Sequence, residues 1–208
     1  MTGDRPPALL LIGSTGSGKT PLGNLLEARG LADRPCVHFD FGHRLRETAV
    51  RGASAGALGD GDVAFLRRVL REGLLLENEN FYIAEAILRA FLAGKRVSDD
   101  AIVVLNGLPR HVDQARDVDA IVRVDALVYL SCTPEVTLER IHSNVAGDRA
   151  QRTDDDVESV RERIERFTCR TLPLLEHYAE RGARVETVTL TAASTAEDLW
   201  RELGNRWE

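Results

Sequence analysis

The chain has 208 residues, 43% of them hydrophobic and 29% charged, so it can form one sizeable core, and we predict a single domain over residues 1–208 and a monomer. The formal net charge of -6 argues against a nucleic-acid partner, and the lack of an apolar stretch of about 20 residues argues against a membrane partner. Because no signal-peptide pattern opens the sequence, we expect a cytoplasmic protein.

Five short segments rich in β-branched and aromatic residues are predicted to form buried β-strands. They span residues 8–12, 36–39, 101–105, 126–130 and 185–189. Between them, apolar residues recur every three or four positions, which predicts helices at residues 22–29, 63–71, 80–92, 134–142, 155–178 and 195–202. This alternation indicates an α/β fold, a three-layer sandwich in which a parallel five-stranded sheet carries helices on both faces.

The first predicted strand leads into a glycine-rich loop, Gly-Ser-Thr-Gly-Ser-Gly-Lys-Thr, which a helix follows. The loop matches the phosphate-binding pattern G-x-x-x-x-G-K-[ST] in the strand–loop–helix context that this pattern requires. Its glycines allow backbone N–H groups to converge on a phosphate, Lys19 adds a positive charge, and the Thr20 hydroxyl can ligate Mg²⁺. We therefore predict that ATP or GTP is bound by the loop residues Gly13, Ser14, Thr15, Gly16, Ser17, Gly18, Lys19 and Thr20.

Further motifs occur in the first half of the chain. The sequence N-G-L-P-R stands at residues 106–110, directly after a predicted strand, with Q-A at residues 114–115. It is similar to the element D-G-F-P-R-x-x-x-Q-A of the adenylate kinase family of nucleoside monophosphate kinases. Residues 38–46 resemble the family segment S-T-G-D-x-x-R, and residues 73–79 resemble G-x-L-V-P-D-E.

The second half of the chain continues the resemblance in the family order. Arg140, residues 152–155 and Arg163 resemble the elements R, R-x-D-D and R, and residues 171–178 resemble T-x-P-L-x-x-Y. The resemblance covers nearly the whole chain and implies a P-loop nucleoside monophosphate kinase fold. It also implies ATP and Mg²⁺ as cofactors and small-molecule nucleotides as substrates, with transfer of the γ-phosphoryl group of ATP to a nucleoside monophosphate.

The resemblance implies roles for individual residues. The implied catalytic residues are Lys19, Arg110, Arg152 and Arg163. Arg140 would stack on the base of ATP, and the acceptor would contact Phe41, Gly42, Arg46, Leu76, Gly107, Arg110 and Gln114. The arginine roles agree with general chemistry, since planar guanidinium groups hold phosphate oxygens bidentately. The family pattern further implies a helical acceptor-binding insertion at about residues 41–78 and a short lid at about residues 141–153.

Four substitutions depart from the family pattern. Asn106 replaces the aspartate that orients Mg²⁺. Phe41 replaces a threonine near the acceptor base, His43 an aspartate, and Asn144 a phosphate-binding arginine of the lid. Because an amide supplies no negative charge, we expect Mg²⁺ to bind weakly at Thr20 and Asn106, the two residues that we assign to the metal.

Two alternatives to a nucleoside monophosphate kinase stay open. The substitutions near the acceptor base are compatible with a P-loop kinase for another small metabolite. The substitutions near Mg²⁺ and in the lid are compatible with a nucleotide-binding regulatory protein with little turnover. His38, Asp40 and His43 lack a recognised metal-ligand spacing, so we predict no metal role for them.

Overall fold

The computed structural model describes residues 5–52, 58–74, 76–95, 97–98, 100–147 and 156–207, and its centre is a β-sheet. The strands are β1 (Pro7–Gly13), β2 (Cys36–Asp40), β3 (Ile102–Asn106), β4 (Arg123–Ser131) and β5 (Arg184–Thr189). All neighbouring strands are parallel, and their order across the sheet is β2-β3-β1-β4-β5. Each strand overlaps one of the five predicted segments, so the predicted parallel sheet is confirmed.

Helices connect the strands and flank the sheet. The α-helices of the described residues are α1 (Lys19–Arg29), α2 (Phe41–Arg51), α3 (Asp60–Glu72), α4 (Phe81–Lys95), α5 (Val112–Asp119), α6 (Pro134–Ser143), α7 (Val157–Arg166), α8 (Leu174–Ala179) and α9 (Ala196–Trp207). A 3₁₀ turn (Asn78–Asn80) precedes α4, and a π-helix (Phe167–Thr171) lies between α7 and α8. No helix in these described ranges is long and apolar enough to cross a bilayer.

Two helical predictions needed correction. The single helix predicted at residues 155–178 is wrong, because α7 ends at Arg166 and a π-helix separates it from α8. Pro173 stands directly before α8, where its missing N–H and its ring prevent a continuous α-helix. Helix α5 was not predicted, since its eight residues are too few to show a clear apolar period. Helix α2 was expected only as part of the helical insertion implied at about residues 41–78.

Two hydrophobic clusters cover the two faces of the sheet, as the alternation of side chains along β1 illustrates. Leu10 and Ile12 belong to a cluster that includes apolar residues of α2, α3, α4, α5 and α8. Leu9 and Leu11 belong to a second cluster with apolar residues of α1 and α9. Successive residues of a strand point to opposite faces, so a strand that is apolar throughout requires helices on both sides. The predicted three-layer arrangement is confirmed.

The carboxyl ends of three adjacent strands meet at one edge of the sheet. Strand β1 ends at Gly13, β2 at Asp40 and β3 at Asn106. In the parallel register, Asp40 is the direct neighbour of Asn106. Open α/β sheets bind their ligands at this edge, where the loops after the strands form a crevice.

Candidate active site

The glycine-rich loop occupies this edge between β1 and α1. Gly16 and Gly18 have φ angles of 74° and 88°, in the left-handed region that residues with a Cβ rarely adopt. At Gly13 the backbone itself is not strained, but a Cβ would lie 2.6 Å from the Ser17 Oγ. The local conformation therefore requires the glycines of the motif, and it leads directly into the first turn of α1.

The Lys19 side chain folds back over this loop. Its Nζ donates hydrogen bonds to the carbonyl oxygens of Gly13 and Ser14, at 2.7 and 2.8 Å, and to the Ser17 Oγ at 3.2 Å. The ammonium group is thus held at the mouth of the loop, where a bound phosphate would receive it as a hydrogen-bond donor.

A polar cluster of Thr20, Asp40 and Asn106 stands beside the loop. The Thr20 Oγ1 donates to the Asp40 Oδ2 at 2.6 Å. The Asn106 Nδ2 donates to the same carboxylate oxygen at 3.1 Å and to the Thr20 Oγ1 at 3.0 Å. The other carboxylate oxygen, Oδ1, accepts a hydrogen bond from the backbone N–H of His43 at 2.8 Å, which makes Asp40 the N-cap of α2.

Asp40 is ionised in this environment. Burial alone would raise its pKa, but the hydrogen bonds from Thr20 and from the His43 backbone hold the pKa of Asp40 below its ordinary value. The cluster therefore presents a hydroxyl and a carboxylate, and oxygen donors of this kind fit Mg²⁺, which also keeps waters and phosphate oxygens as ligands. Sequence reasoning assigned Thr20 and Asn106 to the metal but missed Asp40.

Arg140 on α6 lies beneath the loop and exposes only 2% of its surface. Its Nε donates to the carbonyl oxygen of Gly16 at 3.1 Å, and its Nη1 donates to the carbonyl oxygens of Thr191 and Ser194, both at 2.8 Å. The guanidinium group therefore joins the phosphate loop to the loop between β5 and α9. Its stacking on the base of ATP stays a prediction.

A cavity of about 320 Å³ opens from the phosphate loop across the ends of the strands. Its cationic lining residues are Lys19, Arg46, Arg110, Arg163 and Arg166. Asp40 is the one carboxylate among the described residues that line it. The remaining wall includes the apolar side chains of Phe41, Leu45, Val69, Leu70, Leu74, Leu76 and Phe167. The cavity thus combines strong positive charge with an apolar surface.

Most of the predicted acceptor residues line this cavity. They are Phe41, Gly42, Arg46, Leu76, Gly107 and Arg110. Gln114, by contrast, is 1% exposed and stands behind the wall. Its Nε2 donates to the carbonyl oxygen of Leu76 at 2.7 Å, and its Oε1 accepts from the Arg110 N–H at 3.0 Å. Gln114 therefore fixes two wall segments relative to each other, and its contact with an acceptor stays a prediction.

The helical segment after α6 contributes residues that sequence reasoning partly missed. Arg163 lines the cavity, and Arg166 joins it one turn later on α7. The catalytic role of Arg163 stays a prediction. The three-residue spacing of these arginines places them on one helix face, a signal that could have identified Arg166. Arg152 and residues 148–153 of the predicted lid lie outside the described residues.

The π-helix links this segment to the acceptor side of the cavity. The Thr171 Oγ1 donates to the carbonyl oxygen of Arg110 at 2.8 Å. Arg170 forms two hydrogen bonds of 2.7 Å with the carboxylate of Glu77. These contacts hold the π-helix against Arg110 of the cavity wall and against Glu77, which directly follows the lining residue Leu76.

No family model matches the chain, but individual known proteins are similar to it. The adenylate kinase of Xanthomonas campestris pv. campestris (strain B100) is 32% identical over 188 residues, which cover 86% of this chain and 90% of that protein. The uridylate kinase of Saccharomyces cerevisiae is 24% identical over 201 residues, 96% of this chain and 90% of that protein. The UMP-CMP kinase of Lentinula edodes is 28% identical over 187 residues, 86% of this chain and 76% of that protein.

A solved structure is similar over almost the whole chain. It is the crystal structure of a gluconokinase from Sinorhizobium meliloti 1021, with a TM-score of 0.55 and coverage of 98% of this chain and 92% of that one. At 19% sequence identity this likeness shows the fold alone.

Proposed function

The chain belongs to the adenylate kinase family, and we propose that it transfers the γ-phosphoryl group of ATP to a nucleoside monophosphate. The relatives named above are an adenylate kinase, a uridylate kinase and a UMP-CMP kinase. The observation that carries the proposal is the cavity in which the phosphate loop and two further groups of cations share one space. Phosphoryl transfer between two nucleotides brings many phosphate oxygens together, and it needs positioned cations more than it needs an acid or a base.

Each group of cations has a distinct task in this proposal. The loop N–H groups and Lys19 bind the β- and γ-phosphates of ATP. Arg46 on α2 and Arg110 after β3 bind the phosphate of the acceptor. Arg163, with Arg152 of the predicted lid, neutralises charge on the group in transit. Positioning of the two phosphates and electrostatic stabilisation of the group in transit together account for nearly all of the catalysis in such reactions.

Thr20, Asp40 and Asn106 are the residues that would hold Mg²⁺ near the loop. Magnesium bound with ATP neutralises phosphate charge and orients the polyphosphate chain. The carboxylate of Asp40, which accepts a hydrogen bond from Thr20 at 2.6 Å, weakens one of the two grounds for a regulatory protein with little turnover, the loss of negative charge at residue 106. The other ground, the replacement of a lid arginine by Asn144, is unaffected.

A second candidate is a P-loop kinase for another small metabolite. One observation favours it: the side chains expected to recognise an acceptor base offer little hydrogen bonding to the cavity. Phe41 has no polar group, and both ends of the Gln114 amide already bond to backbone groups. An acceptor without a base would lose nothing at such a wall.

To test the proposal, the protein is incubated with ATP, Mg²⁺ and one acceptor at a time. The acceptors are a panel of nucleoside monophosphates and, as alternatives, sugars and small alcohols. Chromatography of the products is expected to show ADP together with the diphosphate of at least one nucleoside monophosphate. Formation of a phosphorylated sugar or alcohol, with no nucleoside diphosphate, would contradict the proposal in favour of the second candidate.

A further inference from the structure

The end of β3 lacks the negative charge that P-loop proteins use there to hold Mg²⁺. In these proteins the metal is bound by the hydroxyl that follows the loop lysine and by an aspartate at the end of a nearby strand. Here the hydroxyl is present as Thr20, but β3 ends in the neutral Asn106. The Asn106 Nδ2 points at the Thr20 hydroxyl, at 3.0 Å, so this side chain directs a donor and not a ligand oxygen toward the position.

The neighbouring strand β2 supplies the negative charge that β3 lacks, through the carboxylate of Asp40. Strands β2 and β3 are adjacent, and Asp40 pairs with Asn106 in the register of the sheet. Neighbouring strands are about 4.8 Å apart, so a carboxylate on β2 needs only its own side chain to reach the position next to Thr20. The Asp40 Oδ2 does so, since it accepts the Thr20 hydroxyl at 2.6 Å.

Hydrogen bonds fix the orientation of this carboxylate. The His43 N–H holds the Oδ1 at 2.8 Å, and the Asn106 Nδ2 holds the Oδ2 at 3.1 Å. A ligand whose remaining contacts are fixed in advance loses little freedom on binding the metal.

Because the cavity is lined mainly by positive charge, the Asp40 carboxylate is the protein group at which a cation binds favourably. Five cationic side chains line the cavity, and Asp40 is the sole carboxylate among its described lining residues. A divalent cation entering such a site is repelled by its surroundings except at Asp40 and at the phosphates that it accompanies.

We propose that Asp40 has taken over the carboxylate function at the Mg²⁺ site, and that Asn106 acts as a positioning residue that orients it. The inference rests on the proposed function in that the metal arrives with a nucleoside triphosphate. The two remain separable, because metal binding is measured without an acceptor and the proposed function concerns the acceptor.

The test measures the affinity of ATP by calorimetry, first with excess EDTA and then with Mg²⁺, and takes the ratio of the two affinities as the contribution of the metal. Asp40→Asn is expected to lower this ratio by about 10- to 100-fold, the usual effect of losing a group that supports a metal. Its affinity for metal-free ATP is expected to be equal or higher, since a negative charge near the phosphates is gone.

The variant is suited to the test because asparagine is as good an N-cap as aspartate, so α2 keeps its cap. The double variant Asp40→Asn with Asn106→Asp returns the carboxylate to β3 and is expected to recover most of the lost ratio. The control is Asp125→Asn, which removes a charge near the opposite end of the sheet, where Asp125 pairs with Arg123 on the surface. It is expected to match the parent.

Three results would overturn the inference. One is an unchanged ratio in Asp40→Asn, including the case in which turnover is lost, since Asp40 would then act on the acceptor. Another is a double variant no better than Asp40→Asn. The third is a parent protein that binds ATP in neither condition, which would overturn the proposed function as well. A metal effect that follows Asp40 while no acceptor is phosphorylated would leave this inference standing and reject the nucleoside monophosphate kinase.

Discussion

Arg110 lies on the part of the cavity wall that we assign to the phosphoryl acceptor. It follows β3, away from the phosphate loop in the sequence, and its Nε donates to the carbonyl oxygen of Gly107 at 3.1 Å. Gly107 has a φ of 82°, which permits the sharp turn that directs the chain across the cavity. The arginine is therefore expected to act on the acceptor phosphate.

We predict that Arg110→Ala raises the KM of the acceptor or lowers kcat with little change in ATP affinity. Loss of a charge-assisted hydrogen bond costs about 2 kcal/mol, or roughly 30-fold in kcat/KM. Steady-state kinetics with the acceptor varied, together with calorimetry of ATP binding, measures both effects. Arg116→Ala, an exposed arginine on α5, is the matched control and is expected to behave like the parent. A large loss of ATP affinity in Arg110→Ala, with acceptor kinetics intact, would contradict the assignment.

Single residues differ in how far the sequence could predict them. The loop residues from Gly13 to Thr20 were predictable because a local motif determines both their conformation and their chemistry. The place of Asp40 was not, since it depends on the pairing of β2 with β3 and thus on contacts between residues 66 positions apart. Gln114 was assigned to the acceptor by resemblance, and its hydrogen bond to the carbonyl oxygen of Leu76, 38 positions away, is a tertiary contact that the sequence does not show.

Arg140 shows at the scale of elements how α6 supports the nucleotide site. One guanidinium group bonds to carbonyl oxygens of the phosphate loop and of the loop before α9, in a nearly fully buried position. A lysine has a single nitrogen and cannot reproduce this planar fork.

We predict that Arg140→Lys destabilises the fold by about 2 kcal/mol or more, because the buried guanidinium makes three hydrogen bonds that a single ammonium nitrogen cannot reproduce in this geometry. Urea denaturation followed by circular dichroism gives this free energy of unfolding. Arg201→Lys on α9, where the arginine is exposed and pairs with Glu197, is expected to change stability by less than about 0.5 kcal/mol. Equal stability of Arg140→Lys and the parent would show that the three carbonyl contacts do not support the site.

Strands and most helices were predictable because their apolar periods are long enough to recognise. The interruption of the helical region between α7 and α8 was less accessible. Pro173 signals a stop, but the π-helix before it is stabilised by tertiary contacts, those of Arg170 with Glu77 and of Thr171 with Arg110. Sequence periodicity carries no information on such contacts.

At the scale of the whole molecule, three buried histidines make the free energy of unfolding depend on pH. His38, His111 and His177 are buried, and each has a ring nitrogen with no hydrogen-bond partner among the described residues. Burial lowers the pKa of all three below the ordinary value of about 6.5. At His111, the nearby Arg170 lowers the pKa further, and the carboxylates of Glu77 and Asp113, 4.0 and 3.8 Å away, do not offset these effects.

The sign of the resulting pH dependence follows from proton binding. As the pH falls below about 6.5, histidines of the unfolded chain bind protons that the folded chain does not, so the free energy of unfolding decreases. We predict a lower urea midpoint at about pH 5.5 than at about pH 7.5, with the difference reduced in His111→Gln and unchanged in His142→Gln, an exposed histidine. A midpoint that rises on acidification would contradict this account.

The fate of the γ-phosphate tests most directly that the cavity transfers a phosphoryl group between nucleotides. ATP labelled at the γ-phosphate is incubated with Mg²⁺ and the acceptor that the panel identifies, and the products are separated. If the protein is a nucleoside monophosphate kinase, the label appears in the nucleoside diphosphate. Lys19→Ala is expected to lower that transfer by about 100-fold or more, because a preorganised contact with the reacting phosphate costs roughly 3 kcal/mol to lose. Lys95→Ala, which removes the other lysine and its surface pair with Glu27, is expected to transfer normally. Label found in inorganic phosphate alone, or equal transfer by Lys19→Ala and the parent, would contradict the account.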